Sequence, residues 1–178
     1  MRLNKTKVLC FKGFSMRYMA WILLAISFCS TAKMVSNAKA VETYDKQLEQ
    51  TKRMLNEVQQ TLIASDAVIT MYKNLGYITP EVKAVSRHLI ILGENIQNLY
   101  GDISLNPTPF YACTFVPSDA YNFWSERLSS IAKDNTLTLK AAANQYINRA
   151  NDCVYAINNR PPKEIDESEQ PQIIDVAP

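Results

Sequence analysis

Residues 41–75 read VETYDKQLEQTKRMLNEVQQTLIASDAVITMYKNL, and their pattern predicts the architecture of the protein. One series of mostly apolar positions recurs at alternating steps of three and four: Val41, Tyr44, Leu48, Thr51, Leu55, Val58, Leu62, Ser65, Ile69 and Tyr72. This spacing predicts a long amphipathic helix with a coiled-coil-like seam. Because Thr51 and Ser65 interrupt that seam, we expect the helix to pack within a bundle rather than in a continuous two-chain coiled coil.

A second helix is predicted directly after a tight turn. Gly76 is a candidate left-handed C-cap for the first helix, and Thr79-Pro80-Glu81 is typical of a helix start. The same spacing continues through six apolar positions: Val82, Val85, Leu89, Leu92, Ile96 and Leu99. The helix is predicted to end near Tyr100, before Gly101. The short turn at 77–79 predicts that the two helices form an antiparallel αα-hairpin.

The region that follows Gly101 is predicted to be irregular. Three of its residues are prolines that exclude a continuous helix: Pro107, Pro109 and Pro117. Residues 110–116 are predicted to form a short extended segment between the last two of them.

Helical periodicity resumes near Ser118, a predicted N-cap, and runs to Ile157. We expect one bent helix over this range, with residues 134–136 on a solvated face. The alternative is two helices separated at these residues. Together with the hairpin, this pattern predicts an all-α fold, a bundle of three to four helices.

The first forty residues have the features of a secretory signal peptide. Five basic residues and no acidic residue precede an apolar run, Tyr18–Phe28. Small residues after the run provide three candidate cleavage sites, which end at Ala32, Ala38 and Ala40. The alternative is an uncleaved membrane anchor, although the run is shorter than the roughly 20 residues that span a bilayer. The bulky Phe28 before Cys29 argues against processing as a lipoprotein.

Removal of residues 1–40 changes the sign of the net charge. The full chain has 19 basic and 17 acidic residues. Seven of the basic residues and none of the acidic ones lie in residues 1–40, so twelve basic residues remain against 17 acidic ones, a net charge of −5. An acidic surface without a basic cluster repels phosphate backbones, which argues against nucleic-acid binding.

Cys113 and Cys153 are the two cysteines that remain after residue 40. Their separation matches neither a zinc-finger spacing nor a Cys-x-x-Cys redox motif. In an oxidising compartment an even pair predicts a disulfide, which for a loop of this length contributes about 4 kcal/mol by the chain-entropy estimate. Two separate buried thiols are the alternative.

Residues 161–178 are predicted to form a disordered acidic tail, because they have no apolar period and contain five acidic residues. Solubility is its simplest role; a docking peptide around Ile173 and Ile174 is the alternative. The predicted organisation is therefore a signal peptide over 1–40, cleaved somewhere in 32–40, a helical bundle domain over 41–160, and this tail.

The residues that catalytic chemistry requires are scarce. His88 is the only histidine, so neither a Ser-His-Asp unit nor a histidine-based metal site is supported. The three glycines after residue 40 are isolated and form no phosphate-binding loop. Glu94 is the least surface-like candidate for a glycosidase-type carboxylate pair, but a polar helix face explains it better. We predict no catalytic residue, no cofactor and no metal site, and a protein that is not an enzyme.

A cluster of aromatic residues lies beside the prolines of the irregular region: Phe110, Tyr111, Phe115, Tyr121, Phe123 and Trp124. One interpretation is that these side chains close the end of the bundle around Cys113. The other is a recognition surface, because Tyr and Trp are favoured at interfaces. As a hypothesis, Tyr111, Phe115 and Phe123 form part of a partner-binding cap.

Residues 44–60 read Tyr44-Asp-Lys-Gln-Leu-Glu-Gln-Thr-Lys-Arg-Met-Leu-Asn-Glu-Val-Gln-Gln60. Following a signal peptide, this helix resembles the first long helix of the minor pilin family of bacterial type IV secretion and conjugation systems. The resemblance covers about 35 residues and lies in composition and architecture. It implies an exported helical bundle with a role at the pilus tip, in assembly or host-cell contact. The cysteine pair and the aromatic segment do not map onto that family, and no functional residue is transferred.

We therefore expect an exported, non-enzymatic protein, periplasmic or extracellular, that contacts other proteins in a bacterial envelope assembly. A minor pilus component of a conjugative type IV secretion system is the more specific expectation. The alternative is a stand-alone periplasmic binding or inhibitor protein. Nucleic acid is not expected as a partner, and membrane contact is expected only transiently, through the signal peptide.

Overall fold

Four α-helices make up most of the computed structural model, which describes residues 34–103 and 108–166. The helices are α1 (Ala38–Leu75), α2 (Pro80–Tyr100), α3 (Val116–Ala132) and α4 (Thr136–Asn158). A 3₁₀ helix, Tyr111–Phe115, precedes α3, and two short strands, β1 (Met34–Ser36) and β2 (Glu164–Asp166), flank the helices. The predicted all-α bundle is confirmed. No described helix combines the length and the apolar character that a bilayer crossing requires.

The N-terminal αα-hairpin forms as the sequence predicts. α1 has 38 residues, a length of about 57 Å at 1.5 Å per residue. Gly76 ends it with φ 74°, in the left-handed region, and donates its N–H to the carbonyl of Tyr72. Thr79 then accepts a hydrogen bond from the N–H of Val82, and Pro80 is the first residue of α2. These caps set the tight reversal between the two helices.

The two polar residues of the α1 seam are both fully buried, and each has a hydrogen-bond partner on another helix. Thr51 donates its hydroxyl to the carbonyl of Gln47 at 2.9 Å, so the Tyr100 hydroxyl, 2.7 Å away, is the donor to Thr51. Ser65 donates to the carbonyl of Leu62 and accepts from Arg127 Nη1 at 3.0 Å. The polar interruptions of the seam therefore select α2 and α3 as neighbours of α1.

The predicted single bent helix after Ser118 is wrong, because α3 and α4 are separate helices. The chain becomes extended at Lys133, with φ −150° and ψ 155°. The side-chain amide of Asn135 donates to both the carbonyl and the carboxylate of Glu126, at 3.0 and 2.6 Å. These bonds fold the chain back, and α4 then runs antiparallel to α3 as a second αα-hairpin.

The predicted extended segment at 110–116 is also wrong. Phe110 donates its N–H to the Thr108 hydroxyl, and Cys113 donates to the carbonyl of Phe110, which starts a 3₁₀ helix that continues into α3. Ser118 is not the N-cap; it lies in the first turn of α3 and donates to the carbonyl of Phe115. The local turn bonds at Thr108 outweigh the extended preference of the surrounding β-branched and aromatic residues.

The predicted disulfide is present and joins the 3₁₀ helix to α4. The Sγ atoms of Cys113 and Cys153 are 2.11 Å apart and the Cα atoms 4.7 Å apart. Both residues are fully buried, in the same core as Phe110 and Trp124. Trp124 donates its indole N–H to Ser86 on α2 at 2.9 Å. The core is therefore shared by all four helices, with the disulfide near its end.

Secondary structure extends past both predicted domain boundaries, 41 and 160. β1 pairs antiparallel with β2, with Val35 opposite Ile165. The Asn37 backbone N–H donates to the carbonyl of Lys163 at 2.8 Å. The predicted tail is therefore not disordered over residues 164–166, because a partner strand from the other end of the chain satisfies its backbone. The rest of that tail, residues 167–178, and residues 1–33 of the predicted signal peptide lie outside the described residues.

The Thr51–Tyr100 hydrogen bond is testable against an exposed threonine on the same helix. We expect Thr51→Val to lower the free energy of unfolding by about 1–3 kcal/mol more than Thr70→Val does, because it leaves the buried Tyr100 hydroxyl without its described partner. Thr70 makes the same bond to its own helix, to the carbonyl of Asp66, but is exposed. Urea denaturation of both variants measures the difference.

The double variant Thr51→Val/Tyr100→Phe checks the cause. It removes both polar groups, so we expect it to regain part of the stability lost in Thr51→Val. If the loss of stability in the double variant equals the sum of the losses in Thr51→Val and Tyr100→Phe, the two hydroxyl groups do not interact and a direct bond is contradicted.

Candidate functional site

Three residues of α3 and Phe115, the residue before it, form a row that faces α4 and α1. Phe115, Asp119, Phe123 and Arg127 follow one another at four-residue steps, which place them on one helix face. The row alternates aromatic and charged side chains. Each of its members contacts a residue of a neighbouring helix.

The first half of the row holds α4 against α3 through charged contacts. Asp119 is 4% exposed and accepts a hydrogen bond from Gln145 Nε2 at 2.6 Å. Arg149 donates to the same carboxylate at 3.4 Å, and its guanidinium lies 4.9 Å from the centre of the Phe115 ring. The buried carboxylate thus has two donors from α4, while the arginine has a charged and an aromatic partner.

The second half of the row connects α3 to both α4 and α1. The Phe123 ring stacks on Tyr146 with centroids 6.2 Å apart and planes 5° from parallel. Arg127 lies 5.6 Å from the Phe123 ring centre and donates to Asp66 on α1 at 2.5 Å. Burial raises the pKa of the Tyr146 hydroxyl above its ordinary value. Tyr146 is therefore neutral at physiological pH, and the second half of the row carries its charge in the Arg127–Asp66 pair.

A groove of about 580 Å³ lies between α1 and α4 at this level, and we call it the aromatic groove. Its lining residues come from three helices: Gln59, Leu62, Ile63 and Asp66, then Phe123 and Arg127, then Ala143, Tyr146 and Ile147. Ile63 is 64% exposed and Ile147 is 51% exposed. The groove is therefore mainly apolar, with an isoleucine on each wall and an ion pair at one edge.

The three residues predicted for partner binding do not form one patch. Tyr111 is 53% exposed and contacts Phe115 edge to face, with centroids 5.3 Å apart. Phe115 is half-buried beneath Arg149, and Phe123 lies two helical turns further on, in the aromatic groove. Partner binding by these residues stays a prediction, with Tyr111 the most accessible of them.

Sequence reasoning missed the isoleucines of the groove. Ile63 follows the seam residue Leu62, and Ile147 follows the core residue Tyr146, so each lies just outside the buried face of its helix. A large apolar residue on a face that is otherwise polar is the signal that could have identified them. It could not have shown that the two residues face each other.

The described residues offer little for metal or acid–base chemistry. Within 34–103 and 108–166, no group of three or more His, Cys, Asp or Glu side chains could hold a metal ion. His88 and Glu94 are both exposed on α2. The arrangement at the aromatic groove is suited to binding an apolar surface.

Comparison with known proteins does not assign this chain to a family: no family model, no curated protein and no solved structure matches it. The resemblance to minor pilins therefore stays a prediction. Any interpretation of the aromatic groove depends on its own geometry.

The buried Asp119 carboxylate is testable against an exposed ion pair. We expect Asp119→Ala to lower the free energy of unfolding by about 2–4 kcal/mol, because it leaves Gln145 and Arg149 without their shared acceptor. Asp45→Ala, which breaks the exposed pair with Arg160, is the matched control and should change stability much less. Urea denaturation measures both; equal effects would mean that the Asp119 contacts do not hold α4.

Proposed function

We propose that this protein is an exported, non-enzymatic interaction protein of a bacterial envelope assembly, and that the aromatic groove binds an amphipathic helix of another envelope protein. The observation that carries the proposal is the pair of exposed isoleucines, Ile63 and Ile147, which line the groove together with the stacked rings of Phe123 and Tyr146. Large apolar side chains that line a groove and remain accessible to solvent are typical of protein interaction sites.

The shape of the groove favours a helix as the occupant. Its α1 wall runs from Gln59 to Asp66, two turns or about 10 Å. An amphipathic helix presents anchors at positions i, i+3 or i+4, and i+7, which cover a similar length. Helices that bind helical grooves use this arrangement, with the apolar anchors in the groove and polar residues at its edge.

Export is supported by two features of the chain. Residues 1–40 have the charge and apolar pattern of a signal peptide. The Cys113–Cys153 disulfide is typical of proteins that fold in oxidising compartments. Both fit a periplasmic or extracellular location.

A minor pilus component of a conjugative type IV secretion system is the more specific proposal. It rests on the resemblance of residues 44–60 to the first helix of that family and on the length of α1, 38 residues. In this proposal α1 and the aromatic groove bind neighbouring subunits at the pilus tip.

A stand-alone periplasmic binding or inhibitor protein is the second candidate. The volume of the aromatic groove, about 580 Å³, favours it, because small-molecule sites commonly enclose 300–1,000 Å³. A monomer that binds one soluble ligand in this groove, with no protein partner, would support this candidate over the first.

The groove proposal is tested with charge substitutions. We expect Ile63→Glu and Ile147→Glu each to weaken co-purification with the pilus or secretion-channel proteins encoded beside the gene by tenfold or more, because a carboxylate in an apolar contact loses its hydration. Leu137→Glu is the control, since Leu137 is 84% exposed on α4 and does not line the groove. Thermal unfolding verifies that all three variants fold. Unchanged binding by both groove variants would refute the proposal.

The position of the signal-peptide cleavage is a separate prediction. Only cleavage after Ala32 keeps β1 and the contacts of Asn37 with Pro162 and Lys163. We expect the exported protein to begin at Lys33, as measured by intact mass. Ala32→Phe should block this processing and Ala38→Phe should not. A mature protein that begins at Lys39 or Val41 would show that β1 is dispensable.

A further inference from the structure

The turn between α1 and α2 exposes three large apolar side chains at the end of the hairpin. Tyr77 is 60% exposed, Ile78 is 59% exposed and Leu75 is 48% exposed. Buried Thr79 follows them and caps α2, so the turn itself is held in place. We call Leu75, Tyr77 and Ile78 the hairpin tip.

The helix segments that flank the hairpin tip in sequence carry more cations than acids, although the mature chain as a whole is acidic. Residues 70–91 contain three basic residues, Lys73, Lys83 and Arg87, and one acidic residue, Glu81. Hydrogen bonds from its own backbone N–H and from the Thr79 hydroxyl lower the pKa of Glu81. Its carboxylate therefore interacts with the N-terminus of α2, where a negative charge is favourable to the helix dipole. Among the described residues, none of the three cations forms an ion pair.

The apolar surface continues from the tip along α2. A second groove of about 470 Å³ contains Ile78, Ile90 and Leu128, with Lys83 and Arg87 at its edge. Ile90 is 47% exposed. An apolar surface with Lys83 and Arg87 beside it therefore extends from the turn into this groove.

We propose that the hairpin tip docks on the surface of an anionic phospholipid bilayer. Tyr77, Ile78 and Leu75 enter the interfacial layer, while Lys73, Lys83 and Arg87 contact the phosphate-bearing headgroups. Apolar residues combined with Lys and Arg are the arrangement that interfacial membrane segments use, and tyrosine is enriched at that depth. The contact is peripheral, because it involves a turn and the ends of two helices rather than a spanning segment.

The shape and charge of the tip favour a bilayer over a folded protein partner. The tip is a turn between two helices with three exposed apolar side chains, and such side chains can enter a deformable interface without a matching cavity. Each cation near an anionic bilayer strengthens binding by about fivefold, and the effect is screened by salt. This contact uses neither Ile63 nor Ile147, so it is independent of the proposed function of the aromatic groove.

The test measures binding to vesicles by co-sedimentation, with the processed protein purified from its host. All variants also carry Trp21→Phe, so that Trp124 is the one native tryptophan left for the fluorescence measurement below. Vesicles of phosphatidylcholine alone are compared with vesicles that contain about 30% phosphatidylglycerol. The anionic lipid gives the second kind of vesicle a negative surface potential. We expect binding to the anionic vesicles to be at least tenfold tighter. Most of this difference should disappear when the salt concentration is raised to about 0.5 M, because salt screens the charges. Equal binding to the two kinds of vesicle would overturn the proposal.

Two pairs of variants assign the binding to the tip. Tyr77→Ser/Ile78→Ser and Lys83→Gln/Arg87→Gln should each weaken binding to anionic vesicles tenfold or more. Ile63→Ser/Ile147→Ser is the control for exposed apolar residues, and Lys46→Gln/Lys52→Gln, which removes the same charge from the other end of α1, is the control for net charge. Both controls should stay within twofold of the parent. An equal loss in the controls would refute a role of the tip.

A tryptophan at the tip reports its depth directly. In Trp21→Phe/Tyr77→Trp the only other tryptophan is Trp124, which is fully buried and gives a constant signal. We expect a blue shift of the emission and quenching by brominated lipid on binding to anionic vesicles. Vesicle binding without either change would overturn the bilayer proposal. A blue shift that appears only when an acidic protein is added, and not with anionic vesicles, would overturn it as well.

Discussion

The structure depends on the need of two buried hydroxyl groups for hydrogen-bond partners. Thr51 and Ser65 lie on the apolar seam of α1 and are fully buried, where a polar atom without a partner destabilises the fold. Tyr100 of α2 donates a hydrogen bond to the hydroxyl of Thr51, and Arg127 of α3 donates one to the hydroxyl of Ser65. Hydrophobic burial alone is non-directional, so these two contacts define which helices lie beside α1 and in which axial register.

The register of α3 in turn determines where α4 lies. Arg127 is the last member of the row that begins at Phe115, so its contact with α1 directs Asp119 and Phe123 toward α4. The disulfide between Cys113 and Cys153 holds α4 at the opposite end of the same row. α4 is therefore attached chiefly to α3 and the 3₁₀ helix, and the space between it and α1 stays open as the aromatic groove.

The two proposed contact surfaces lie in different parts of the bundle. The aromatic groove lies on the side, between α1 and α4, whereas the hairpin tip lies at the end, between α1 and α2. No residue lines both. The two proposals therefore depend on different residues and can be tested independently.

The features that could be predicted from the amino-acid sequence are those that depend on local physics. The seam of α1, the glycine turn at Gly76, the cap at Thr79 and the pairing of the two cysteines could all be read from spacing and residue type. Each of these requires only the periodicity of a helix, the conformational freedom of glycine, or a count of thiols.

The features that could not be predicted join residues that are far apart in the sequence. The break at Asn135 depends on Glu126, the 3₁₀ helix at 111–115 is joined to α4 through Cys153, and β2 needs a strand some 130 positions earlier. The aromatic groove likewise needs Ile63 and Ile147 on opposite walls. Local propensities at these sites are weak or point elsewhere, so the energy of long-range contacts prevails, and that energy has no signature in a single stretch of sequence.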